Sequence, residues 1–176
     1  YNAKELSAFK DAHLKLWKTF EKEADQDTVY IFECVFLQNH VNELILKYNL
    51  SLPEQTEYFK ALMDSIKALN PVVYHVYQTS VDTTLTRLIE ERRSPEPEHF
   101  ADWIDLMVEH LDHQPFGKTL GYEGVEGVFD YFKDRQNMEA HLLEALQVQS
   151  HRFMLKDDYD TVFDSILAVT KDWLTD

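Results

Sequence analysis

29-VYIFECVF-36 is a continuous apolar, β-branched and aromatic run interrupted by one charge, Glu33. A run this short and this apolar predicts a strand buried on both faces, as in a parallel sheet. Two more stretches fit beside it. 72-VVYHVY-77 follows Pro71, and 152-RFML-155 is a shorter third strand. The segments around them carry helical spacing instead. Leu6, Phe9, His13, Leu16, Trp17 and Phe20 mark an amphipathic helix over 4–22, and residues 38–48 read as another. Strands alternating with helices suggest βαβ units.

The helix boundaries have local chemistry. Ser51-Leu52-Pro53-Glu54 has capping-box spacing, with a proline in the first turn, and the helix it opens buries Phe59, Leu62, Met63, Ile66 and Leu69. Asp82 is the expected cap of a helix with Leu85, Leu88 and Ile89 on its inner face. After the loop 94-SPEPE-98, a stripe of Phe100, Trp103, Ile104, Met107, Val108 and Leu111 predicts the next helix. Gly117, Gly121, Gly124 and Gly127 predict a flexible connection to a helix over 128–148. 157-DDYD-160 is expected to cap a last helix through Val162, Phe163, Ile166, Leu167 and Trp173.

Composition limits the chemistry. The 176 residues suit one domain, 1–176, and a sizeable core. A formal net charge of -15 opposes nucleic acid and anionic membranes as partners. No apolar run is long enough to span a membrane, and the one cysteine, Cys34, makes a reducing, cytoplasmic setting the expectation. All four glycines lie after residue 116, so the preceding chain holds no glycine-rich phosphate loop. The sequence begins at Tyr1 rather than methionine and reads as part of a longer chain.

Within this acidic chain, 85-LTRLIEERR-93 gathers Arg87, Arg92 and Arg93 at one helix end. Guanidinium groups are planar, permanently charged and able to clamp phosphate with paired hydrogen bonds; the alternative is a solvated helix end neutralised by Glu90 and Glu91. Glu33, at the C-terminal end of a strand, would face the crevice where open α/β sheets bind ligands. There a carboxylate acts as general base or holds a metal-bound water. Gln38, Asn39 and His40 follow the same strand and are candidates for a substrate's polar edge, or else a polar loop entering a helix. His110 and His113 have i, i+3 spacing, which two ligands alone do not make into a metal site.

Taken in order, 14-LKLWKTF-20 leading into 29-VYIFEC-34, the second strand leading into 85-LTRLIEERR-93, and 152-RFMLKDDYD-160 entering a terminal helix resemble a P-loop nucleoside or nucleotide kinase of the deoxynucleoside and thymidylate kinase kind. The resemblance implies an α/β fold: a three-layer parallel sheet flanked by helices, P-loop kinase-like, missing the first strand and the P-loop. A central strand would belong between 29–34 and 72–77, and residues about 85–100 would form a lid. It implies transfer of the ATP γ-phosphoryl group, with Mg²⁺, to a nucleoside, nucleotide or similar hydroxyl acceptor. Glu33, Arg87 and Arg92 would be catalytic; Gln38, Asn39, His40 and Arg93 would bind substrate. Cys34 stands where the family commonly has arginine. The alternatives are a catalytically inactive nucleotide-binding or regulatory protein, or a mostly helical interaction protein. A homodimer is compatible with all three.

Overall fold

The computed structural model describes residues 3–25, 27–155 and 159–175. Its elements run α1 (Ala3–Glu23), α2 (Gln38–Leu46), α3 (Leu52–Ile66), a 3₁₀ turn at Lys67–Leu69, β1 (Val73–Tyr77), α4 (Val81–Glu91), α5 (Trp103–His113), α6 (Gly124–Leu146), β2 (Ser150–Met154) and α7 (Tyr159–Thr175). β1 and β2 pair in parallel, Val73 opposite Ser150 through Tyr77 opposite Met154. These two strands make the whole sheet among the described residues.

The expected three-layer kinase-like sheet is therefore corrected to a mostly helical fold with a two-stranded parallel ribbon. The error lies in 29–36. That run contains no strand; it crosses the surface as irregular backbone and turns at Cys34, whose φ of 61° is left-handed. Asn39 N–H then donates to the Cys34 carbonyl at 3.1 Å, and Val41 N–H to Leu37 at 2.9 Å, winding the chain into α2. Apolar content allowed a buried strand, but a strand also needs a neighbour, and the one strand pair among the described residues is β1 with β2. With no strand at 29–34, the gap expected for a central strand has a sheet on one side only.

The core lies among helices. Val41 and Leu44 of α2, Phe59 and Leu62 of α3, Leu111 of α5 and Val128, Tyr131 and Leu142 of α6 are buried together. α3 packs on α6 and on α1, α5 and α4 lie on α6, and α7 covers β2. At the start of α3, Glu54 Oε2 accepts from Ser51 N–H at 2.9 Å, as the capping box predicts, and also from Ser51 Oγ at 2.6 Å. α4 begins two residues earlier than expected. Ser80, not Asp82, is its cap: Ser80 Oγ accepts from Thr83 N–H at 3.2 Å, while Asp82 sits inside the first turn and pairs with Lys133 Nζ at 2.8 Å.

The glycine cluster is a compact turn rather than a flexible connection. Tyr122 N–H donates to the Gly117 carbonyl at 3.0 Å, and Gly127 N–H to Glu123 at 3.0 Å. Gly121 and Gly124 take φ of 84° and 61°, which glycine adopts without strain. In α5 the stripe holds from Ile104 to Leu111, but Phe100 precedes the helix and is 65% exposed. Asp157 and Asp158, and the side chain of Trp173, lie outside the described residues. Among those described, no helix is long and apolar enough to cross a membrane.

Candidate functional site

Arg87 and Arg92, which the sequence suggested as phosphate clamps, each have a side chain close by. Arg87 Nε stands 3.5 Å from Glu91 Oε1 on the same helix face, and the Arg92 guanidinium lies 5.9 Å from the Trp103 ring. Arg93 is exposed beyond the helix end. A hollow in the supposed lid is lined by Pro95, Glu96, Pro97, Glu98 and His99, so carboxylates rather than the arginines border it. His110 and His113 are exposed on α5, each bonded along its own helix: His113 Nδ1 lies 2.7 Å from the Glu109 carbonyl and His110 Nε2 3.4 Å from Gln114 Nε2. Among the described residues, no cluster of three or more His, Cys, Asp or Glu side chains is placed to hold a metal.

Glu33 and Gln38 do come together, with Cys34 between them. Cys34 Sγ donates towards Gln38 Oε1 at 3.4 Å and towards Glu33 Oε1 at 3.6 Å. Burial raises the thiol's pKa, and the Glu33 carboxylate raises it further, so sulfur stays protonated and is a poor nucleophile. Asn39 is exposed, whereas His40 is buried among aromatic rings.

Two features of this region were missed from the sequence. The first is a polar cluster beneath Cys34. Arg135 and Glu139 of α6 are close enough to act on the thiol, in opposite senses. Arg135 Nε is 3.4 Å from Glu139 Oε1, and His75 Nε2 of β1 is 3.9 Å from Glu139 Oε2. Tyr131 Oη donates to Asn42 Oδ1, and burial holds its phenol up to about 12. Neither Arg135 Nε nor Glu139 Oε1 completes a hydrogen bond with good alignment. The cluster is charged, buried and held by proximity. Glu139→Ala is expected to cost about 3 kcal/mol in a urea titration, because it strands the Arg135 charge; Glu139→Gln should lose less. The sequence signal was an i, i+4 Arg–Glu pair at 135 and 139, identical in kind to solvated pairs elsewhere.

The second feature is the surface made by 28–33 and α1. Residues 28–32 have no regular secondary structure. Tyr30 and Phe32 turn back onto α1, with ring centroids 5.0 and 5.3 Å from Phe20, and Phe32 lies 5.4 Å from Trp17. Val29 and Ile31 are left outward, 50% and 91% exposed, and Phe32 itself is 50% exposed. Among the described residues, none from 29 to 33 makes a backbone–backbone hydrogen bond. One segment therefore presents unpaired backbone edges and bare apolar side chains together. Both features fit the edge-on reception of another extended chain. No family model matches this chain, and no curated protein or solved structure matches it either.

Proposed function

We propose that this chain is a helical interaction domain that docks a protein partner through residues 28–33 and the face of α1 beside them. The partner supplies an extended segment with β-branched or aromatic side chains. The observation that supports this is Ile31, 91% exposed in a stretch whose backbone is also unpaired. An exposed cluster of large apolar side chains, rather than a scattered one, marks an interaction surface. The chain's net charge of -15 favours basic residues flanking the partner's segment and disfavours a second copy. A cytoplasmic setting belongs to the same reading and rests on the lone Cys34. The test is a photo-crosslinking side chain placed at position 31, with exposed Val125 of α6 as control. A discrete adduct at 31 that contains a different protein and is absent at 125 supports docking. Equal labelling at both positions, or none at 31, overturns it, and an adduct of twice the chain mass assigns the surface to a homodimer.

A second reading, phosphoryl transfer from Mg²⁺–ATP to a nucleoside, nucleotide or similar acceptor, has one arrangement in its favour. Glu33 and Gln38 meet at Cys34 within a single turn, as a base and a substrate contact would. Magnesium-dependent ATP consumption, screened against a panel of nucleosides and nucleotides with the longest available form of the protein, tests it. Glu33→Gln and Arg87→Ala should each then lower turnover about 100-fold or more with stability little changed. Absence of turnover with every acceptor, or variants that match the parent, removes the reading.

A further inference from the structure

Three segments of the fold meet at one imidazole. His40 of α2 is 6% exposed. Phe9 and His13 of α1 lie against it, ring centroids 6.5 and 4.7 Å away, and Tyr58 and Phe59 of α3 close the other side at 5.8 and 6.1 Å. Neither nitrogen of His40 makes a well-aligned hydrogen bond. His13 in turn is tied to α3, its Nδ1 3.3 Å from Tyr58 Oη. The same α1 carries Trp17 and Phe20 one and two turns beyond His13, against Phe32 and Tyr30. We propose that His40 and His13 form an acid-sensitive latch, which holds α1 on the helical core when neutral and releases it when charged. As a control on docking it rests on the interaction reading; as a property of the free chain it does not.

The surroundings oppose a charge here. From α1 come His13 and the Lys10 ammonium, which stands 5.9 Å from the Tyr58 ring. From α3 comes Tyr58, whose phenol burial keeps neutral well above its ordinary range. From α2 comes Glu43, a carboxylate that favours a cation on His13, although burial outweighs it and lowers that pKa. For His40, burial is the largest effect and His13 adds to it; the Val35 backbone in the preceding loop acts the other way and is the smallest of the three. The result is a pKa brought down from 6.5 to about 4.

The direction of the pH effect comes from linkage. A ring that binds its proton more weakly in the closed form than in the open one favours closure fully above its open-form pKa. That preference fades as pH falls from about 6.5 towards 4. An open-form pKa near 6.5 makes the closed state roughly 30-fold less favoured at pH 5 than at pH 8. Two imidazolium rings at the observed separation would also repel each other.

Two measurements on the free chain decide this. Histidine titration by NMR, with the His40 signal assigned by its loss in His40→Gln, should show that ring titrating below pH 5. Hydrogen exchange, corrected for its intrinsic pH dependence, should show α1 amides opening about 30-fold more at pH 5 than at pH 8, with α6 as reference. In His40→Leu the rise should shrink to a few-fold. A ring that titrates near 6.5, or α1 exchange that follows α6 at both pH values, overturns the latch. If His40→Leu does not fold, titration and exchange in the parent chain still separate a latch from a passive core histidine. Because no partner is present, a failed latch leaves docking at pH 8 intact, and failed docking leaves the titration intact.

Discussion

Gly127→Ala is expected to lower the unfolding free energy by at least about 3 kcal/mol, measured by urea denaturation. Intrinsic propensity argues the other way, since alanine inside a helix gains up to about 1 kcal/mol over glycine. The sign is therefore diagnostic. A Cβ at 127 would stand 2.3 Å from the Tyr122 carbonyl carbon and 2.7 Å from its Cα. Those are backbone atoms of the turn that enters α6, and Tyr122 is itself pinned, its Oη donating to Asp134 Oδ2 at 2.9 Å. Neither side can yield without moving the buried Tyr122–Tyr131 ring pair, 5.4 Å apart. Gly124→Ala supplies the contrast. It has nothing within 4 Å and only its φ of 61° to strain, so about 1 kcal/mol is the expected loss. Equal, small effects at 124 and 127 would mean that the turn does not close tightly on α6.

Ile31→Asp is expected to weaken partner binding at least about 30-fold, the weight of a central apolar anchor worth about 2 kcal/mol or more. It places a carboxylate where an apolar side chain would be enclosed, and burying an unpaired charge is costly. Stability of the free chain should hardly change, because Ile31 is 91% exposed and leaves no cavity. Phe32→Ala makes the complementary case. Its ring also touches Trp17 and Phe20, so it should reduce both binding and the thermal stability of the α1 contact. Binding is read by titration against the partner captured at position 31. Unchanged affinity in Ile31→Asp would return this surface to a solvated loop.

Local chemistry was the part of the fold written plainly in the sequence. The Ser51–Glu54 box, the 3.6-residue stripes of α1, α3 and α5, and the β-branched run of β1 each depend on neighbours a few residues away, and the elements appear where the pattern placed them, with Leu16 and Phe100 left exposed off their stripes. β2 and α6 begin two and four residues earlier than expected, at Ser150 and Gly124. Strand pairing failed because it depends on partners far along the chain. 29-VYIFECVF-36 and 72-VVYHVY-77 look alike as strings, yet the second finds β2 and the first meets rings of α1 and, through Phe36, of α3. The same limit applies to function. Glu33 and Gln38 are near in sequence and meet at Cys34, whereas Arg135 and Glu139, more than 100 positions from Cys34, enter its surroundings by helix packing alone. The left-handed backbone at Cys34, on a residue with a side chain, carries no signature in composition.

If residues 29–33 are an open edge awaiting a partner chain, amide hydrogen exchange resolved to that segment tests it most directly. Exchange near the rate of an unstructured peptide in the free chain, slowing at least about 100-fold once the partner captured at position 31 is bound, is the predicted result. Slow exchange already present in the free, monomeric chain would mean that the segment is paired within the molecule, and would contradict an open edge.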